Sequence, residues 1–392
     1  MMKLRNTLYA MLCLTAGLCT LTGCIDEYEA DIHYEDTDLL VVEGTICSGQ
    51  TNRFYLSHTQ ALNSFDMPRR VSGAIVSVRG TDGSEYPTSL DNGYYSCQLG
   101  QLSPDVEYYL HIEYEDEIYE STPQKPLPSE GITQVKAVQN FPRGNIDVLV
   151  TPEEPLDPGV TNYYSWTYDE TYEVRPEYET TMYFDVELGE PVYEDIYHFP
   201  PRGWIDGRGT SIMVGASTGY EGEHIQGMKI YGLSHTDSKV YYMYSGLVHQ
   251  RAISKGEYEY ELARRQASSE MGGLFTPLPS ALPTNIRCLT SGKRVIGYIG
   301  CSLNTSDFRF FINASEFTIR RSTGGDNRVW LVSPTVADCC AMVARGMYLV
   351  EWLIPEMTDD NKLHTAWAYL HQLDVRARYS GAYVEKPGYW PE

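Results

Sequence analysis

A chain built mainly of β-strands, a smaller β-sandwich followed by a larger β-sandwich domain with one or two short helices, is what this sequence predicts. Three observations predict it. Tyr (32), Gly (33) and Pro (21) are abundant in the 392 residues, a balance that favours strands and turns over helices. Apolar side chains recur at period two, most plainly at Val106, Tyr108, Leu110, Ile112 and Tyr114. Turn clusters such as Thr81-Asp82-Gly83-Ser84 punctuate these runs. With 42% hydrophobic and 21% charged residues, a packed core is within reach of the composition.

Residues 1–23 read as an export signal. Lys3 and Arg5 precede an apolar stretch from Leu8 to Leu21, too short to span a bilayer, and Leu21-Thr22-Gly23-Cys24 resembles a bacterial lipobox. In such signals the cysteine is acylated and becomes the first residue, so Cys24 is the expected lipid attachment point. Acyl chains contribute about 0.8 kcal/mol per buried methylene, enough for two or three of them to hold a protein on a membrane. Residues 24–37 carry Asp26, Glu27, Glu29, Asp31, Glu35 and Asp36 with no base, an acidic tether similar to the export signal of Bacteroidota surface lipoproteins.

Strand-like runs follow over 38–124, starting with Leu39–Ile46 and Gly73–Arg79. Pro123, Pro126 and Pro128 then predict a stiff linker, set at 125–131. Residues 132–392 form the larger β-rich domain, with strands expected near 145–150, 164–168, 211–214, 239–248, 295–301, 308–312, 329–332 and 347–354. Ser254 followed by Glu257 is a capping box that opens a helix; Glu261 and Arg265 are spaced to pair on it, and Gly272-Gly273 closes it. A second helix is expected over about 362–372.

The segment from Arg70 to Cys97 resembles carboxypeptidase-regulatory-like and other immunoglobulin-like modules, so 38–124 is expected to be an immunoglobulin-like β-sandwich. Tyr258-Glu259-Tyr260, Gly272-Gly273-Leu274-Phe275, Pro277, Pro279, Asn285-Ile286, Gly297-Tyr298 and Phe311-Ile312, with Leu40–Gly44 and Lys386-Pro387-Gly388-Tyr389-Trp390, resemble a Bacteroidota lipoprotein family catalogued as domain of unknown function 4249. Gln372-Leu373-Asp374-Val375-Arg376 departs from a Cys-x-Asp-Cys-Arg element of that family. The resemblance implies an outer-membrane β protein, often encoded beside a TonB-dependent receptor, and no established chemistry.

The formal charge of -23, from 30 basic and 53 acidic residues, argues against nucleic acid as a partner, and no segregated basic patch is found to offset it. Six of the nine cysteines follow Cys24: Cys47, Cys97, Cys288, Cys301, Cys339 and Cys340. An even number in an oxidising compartment suggests disulfides, Cys47 with Cys97, and Cys288 and Cys301 with Cys339 and Cys340. No Cys-x-x-Cys or histidine cluster suggests a metal, and no cofactor motif is present. Nucleophile-elbow, zinc-protease, phosphate-loop and EF-hand patterns are absent, and His364 and His371, which could share one helix face, read as packing or surface residues. Binding rather than turnover is expected.

The stretch Tyr163–Tyr197 holds eight tyrosines and ten acids against the single base Arg175. Tyr164, Trp166, Tyr168, Tyr172 and Val174 should share one strand face, most simply a core face. Tyr178, Tyr183, Tyr193, Tyr197 and Trp204 lie beyond this alternation and are the candidate contacts for a ligand or partner. The expected protein is therefore an outward-facing outer-membrane lipoprotein that binds a glycan or peptide, as accessory to a TonB-dependent receptor. The alternatives are a surface adhesion module and, behind it, a glycan-directed hydrolase whose carboxylates converge only in space.

Overall fold

A computed structural model describes residues 38–59, 68–155, 159–210, 212–270, 282–322 and 324–391. Cys24, the acidic tether and Gly272-Gly273 lie outside these residues. The chain is mainly β, 44% strand against 13% helix. Strands β1 (Leu40–Glu43), β2 (Thr45–Cys47), β3 (Thr51–His58), β4 (Ile75–Gly80) and β5 (Glu85–Pro87) come first. β6 (Ser89–Asp91), β7 (Tyr94–Gln98), β8 (Tyr108–Tyr114) and β9 (Glu117–Ser121) complete the N-terminal set. β10 (Ile132–Gln139), β11 (Ile146–Pro152), β12 (Tyr163–Val174), β13 (Met182–Asp185) and β14 (Glu190–Tyr193) follow. Then come β15 (Gly203–Arg208), β16 (Met213–Ala216), β17 (Met228–Leu233), β18 (Met243–Ala252) and helix α1 (Lys255–Glu270). After α1 run β19 (Ile286–Cys288), β20 (Val295–Gly297), β21 (Gly300–Ser302) and β22 (Ser306–Asn313). The last part holds β23 (Val329–Val332), α2 (Val336–Ala344), β24 (Met347–Leu353), β25 (His364–Tyr369), α3 (Leu370–Leu373) and α4 (Val375–Arg378).

The first core lies between two five-stranded sheets, ordered β20-β1-β3-β7-β6 and β19-β9-β8-β4-β5. Alternation on β8 buries Tyr108, Leu110 and Ile112 against Val42, Phe54, Leu56 and Val78. The sandwich is not a continuous 38–124 module, because residues 286–302 return to finish it. β19 pairs antiparallel with β9, β20 parallel with β1, and β21 parallel with β2, bringing Ile286, Val295, Ile299 and Cys301 into the core. The edges of β1 and β9 would otherwise present open hydrogen-bonding groups beside an apolar face. Residues 125–131 are likewise no free linker: Leu127 N–H donates to Cys301 O at 3.0 Å, and Leu303 N–H donates to Leu127 O at 2.8 Å.

The second core lies between sheet β15-β12-β18-β22, with β16 also on β12, and sheet β10-β11-β17. β12 follows the expected alternation. Tyr164, Trp166 and Val174 are buried, and Tyr168 stacks on Tyr231 with centroids 3.9 Å apart. Trp166 Nε1 donates to Gln250 Oε1 at 2.9 Å, and Gln250 Nε2 donates to the carbonyls of Glu130 and Gly131 at 3.0 and 3.1 Å, tying the Pro-rich segment to the sheet. A third, smaller core forms where sheet β23-β25-β24, hairpin β13–β14 and α2 bury Phe184, Cys339, Leu349 and Trp367.

Three local expectations change. Leu39–Ile46 is two strands, because Gly44 turns the chain at φ +152° where a Cβ would meet the Phe54 ring at 2.5 Å. On α1, Ser254 Oγ accepts the Glu257 N–H at 3.2 Å as a cap should, but Glu261 pairs with Arg264 at 2.8 Å rather than with Arg265. Most of the helix expected over 362–372 is strand β25, whose Thr365, Ala366, Trp367 and Ala368 are fully buried between two neighbouring strands. Sheet pairing overrides local preference there, so His364 and His371 do not share a helix face.

Gly297 tests the return. It sits at φ +145°, and a Cβ on it would lie 2.1 Å from Val42 O across the parallel pair. Gly297→Ala should destabilise the protein by about 2–4 kcal/mol, combining backbone strain with displacement of β1. Gly292→Ala, at φ +70° with no atom within 4 Å, should cost only about 1 kcal/mol. Denaturant titration of both variants checks the difference, and equal losses would contradict the tight approach.

Candidate functional site

Antiparallel register brings the ends of four strands to one rim of the second core. Val174 at the end of β12 pairs with Gly203 at the start of β15, while Met243 at the start of β18 pairs with Asn313 at the end of β22. Arg175, Arg202, Tyr242 and Ala314 are the next residues out, so a sheet geometry decides that they meet. Trp390 closes the rim from the C-terminus, edge-on to Trp204 and Phe311 at centroid distances of 6.2 and 6.0 Å.

Three adjoining cavities run along this rim. One of about 410 Å³ is lined by Glu173, Arg175, Arg202, Tyr242, Arg321 and Trp390, among others. A second of about 450 Å³ shares Arg175, Tyr242 and Arg321 and extends to Tyr178, Glu179 and Arg328 beside the third core. The third, about 540 Å³, shares Ala314 and Arg321 and reaches Arg143 and Arg320. Together they form a groove with Tyr242 near its middle.

The guanidinium groups are held in place by rings and acceptors. Arg175 and Arg321 lie 4.4 and 4.7 Å from the Tyr242 centroid, within cation–π range. Arg175 Nε donates to Glu173 Oε1 at 2.7 Å, and Arg321 Nη2 donates to the Tyr241 carbonyl at 2.5 Å. Arg328 lies 5.0 Å from the Tyr178 ring, grips Asp326 through Nε and Nη2 at 2.8 and 3.0 Å, and pairs with Glu351. Hydrogen bonds from Arg328 and the Trp330 indole hold the Asp326 carboxyl well below the usual range, and the Asp326 bonds push Arg328 up. Among the described residues, Arg143, Arg202, Arg320 and Arg321 have no acidic partner; they remain available to an anion.

Of the tyrosines singled out from the sequence, Tyr178 alone lines this groove, its hydroxyl donating to Asp326 at 3.3 Å and accepting from Asn327 N–H at 3.0 Å. Tyr183 and Tyr193 sit on hairpin β13–β14, and Tyr197 just beyond it; Tyr193 and Tyr197 are exposed, beside exposed Leu188 and Ile196. Trp204 is no contact residue. It is 2% exposed, packed between Tyr383 and Trp390, because its strand lies on β12 and the C-terminal segment covers it. The arginines escaped the sequence reading because they come from positions 143, 175, 202, 320, 321 and 328, with only Arg320-Arg321 adjacent. That pair was no distinguishing signal, since Arg69-Arg70 and Arg264-Arg265 are the same doublet elsewhere in the chain. Among the described residues, no group of three or more His, Cys, Asp or Glu is placed to hold a metal ion.

The profile of a protein family described as "Domain of unknown function (DUF4249)" matches residues 25–307. That span takes in the first core and much of the second, and ends before Arg320, Arg321, Arg328 and Trp390. No curated protein matches the chain.

The expected disulfides are replaced by thiols: Cys47, Cys97, Cys288, Cys301, Cys339 and Cys340 are all free. Asn52 stands between Cys47 and Cys97, in register with Cys97 while its side chain bonds Cys47 N–H and O at 2.6 and 2.9 Å. Cys288 and Cys301 belong to the first core and Cys339 to the third, so those cross-links have no geometry to form in. Burial pushes the Cys97 thiol up to about 11 and Cys301 up to about 12. For Cys288 burial acts in the same sense, but hydrogen bonds with Ser291 and Thr290 outweigh it and bring the thiol down. Alkylation of the native protein at neutral pH should therefore reach half-exposed Cys340 first and Cys288 more slowly, with Cys47, Cys97, Cys301 and Cys339 reacting only on unfolding. Mass spectrometry of the labelled peptides reads this order, and non-reducing peptide maps should show no cross-link among the six.

Proposed function

The chain belongs to the DUF4249 family, and from that membership we propose that it is a lipid-anchored Bacteroidota outer-membrane protein that works by binding, as accessory to a TonB-dependent receptor. The observation that carries the binding reading is the groove: Arg175 and Arg321 are held on the Tyr242 ring, and Arg143, Arg202, Arg320 and Arg321 have no acidic partner among the described residues, along a rim set by sheet register. Such a rim is organised before a ligand arrives, which keeps the entropy lost on binding small. Acylation at Cys24 and the acidic tether behind it would keep the groove beside the outer face of the membrane.

Leu188, Tyr193, Ile196 and Tyr197, exposed by 67%, 62%, 75% and 46%, lie on or just after hairpin β13–β14, outside the groove lining, and as exposed apolar and tyrosine side chains suit a protein partner. The same side chains favour a second reading, attachment to a neighbouring cell or host surface. An enzymatic role has no comparable support.

Full-length protein tagged at its C-terminus and expressed in its own host tests both parts. Wild type should incorporate labelled fatty acid and sediment with outer membrane, and Cys24→Ala should do neither. Mild detergent extraction should recover a β-barrel receptor with the wild type, and Tyr193→Ala/Ile196→Ser/Tyr197→Ala should lose most of it. Recovery of no barrel protein under any mild detergent would defeat the accessory role. Loss of surface attachment without loss of nutrient uptake in the triple variant would favour adhesion instead.

A further inference from the structure

We propose that the arginine groove takes an acidic glycan, a chain of sugars bearing carboxylate or sulfate groups; this deepens the binding reading and rests on it. Charge is the first argument. In a chain with 53 acids and 30 bases, Arg143, Arg202, Arg320 and Arg321 stand without acidic partners among the described residues, and all four line one continuous groove. A guanidinium donates two parallel hydrogen bonds to a carboxylate or sulfate, a match that an ammonium group lacks.

Shape and spacing narrow the class. Cavities of about 410, 450 and 540 Å³, joined through Arg321, form a path longer than one small ligand needs and suited to a chain of repeating units. Acids share the lining of two of the three cavities: Glu173 and Glu351 pair with Arg175 and Arg328, Glu177 pairs with Arg378, and Glu179 has no partner among the described residues. A nucleic-acid duplex, with one charge per about 1.7 Å, would press phosphates on those carboxylates. A sugar chain spaces its anions further apart and supplies hydroxyl donors that carboxylates accept. A peptide joining by strand addition would need a free strand edge, and an acidic peptide held by the arginines alone is the competitor that the oligoglutamate titration tests. The lining instead consists of strand ends and of the connection after β22, and β24, which enters at Val350 and Glu351, has a register shift there.

Full-length protein in detergent micelles, titrated calorimetrically with a sulfated heparin-type octasaccharide, an oligogalacturonate, a neutral dextran of equal length and an oligoglutamate peptide, tests this. At least one acidic glycan should bind, the dextran and the peptide at least tenfold more weakly, and affinity should fall as salt rises. Arg202→Ala/Arg320→Ala/Arg321→Ala should weaken that binding at least tenfold. All three side chains are exposed, so its melting temperature should match wild type; should it fail to fold, single Arg202→Ala with at least threefold weaker binding serves instead. Absence of binding to both acidic glycans, equal binding of dextran, tighter binding of oligoglutamate, or unchanged affinity in the folded variants overturns the proposal. The triple variant keeps Cys24, Tyr193, Ile196 and Tyr197, so anchoring and receptor recovery should persist in it, and failure on glycans is distinguishable from failure of the membrane role.

Discussion

β20 lies parallel to β1, with Leu40, Val41 and Val42 opposite Val295, Ile296 and Gly297, and the rest of the molecule depends on that contact. It closes a sandwich whose own strands leave two apolar edges open. To reach it the chain must first complete most of the second core and helix α1. The two sandwiches are thus interleaved, with 286–302 as the clasp. At the seam, Arg251 of β18 is buried against Glu257 of α1, near Cys47 of the first core. Breaking such a pair by removing one partner typically costs about 3–5 kcal/mol, since the remaining charge has no solvent to turn to. The seam is therefore held by apolar strand pairing and by an ion pair that tolerates no partial opening.

The second core supports the groove in a different way. Glu170 lies on the buried face of β12, where it accepts from Lys239 Nζ at 2.5 Å and from the Tyr244 hydroxyl at 3.1 Å, while the Tyr231 and Tyr244 hydroxyls are 3.1 Å apart. A satisfied polar network inside a sheet sandwich resists sliding, because any slip would strand a buried carboxylate. The register of β12, β15, β18 and β22 is accordingly well determined, and the rim residues beyond their ends inherit that determination. Of the groove arginines, Arg175 and Arg202 flank strand ends, while Arg143 lies in the β10–β11 connection and Arg320 and Arg321 in the β22–β23 connection.

Much of the fold was legible locally. The buried faces of β8 and β12, the strand at Val329–Val332 and the cap at Ser254 follow from alternation and from a hydroxyl before a helix, which are properties of neighbouring residues. The errors share one cause. The supposed linker and the helix over 362–372 were read from nearby residues and the cysteine bridges from an even count and assumed domain bounds, while their state is set by partners far along the chain: 127 by 301, 288 by 119, 366 by 330 and 351. Trp204 misled for the same reason, since its cover is Tyr383 and Trp390.

The amino-acid sequence by itself determined the strand-rich class, the acidic surface and the faces that strands bury, because period-two patterning and composition act through adjacent side chains. Tertiary structure alone decided which segments complete which sheet and where the arginines meet. Arg175 and Arg202 become neighbours when antiparallel register aligns the ends of β12 and β15, the connections carrying Arg143, Arg320 and Arg321 follow the strands they join, and register is a property of paired strands that no single segment contains.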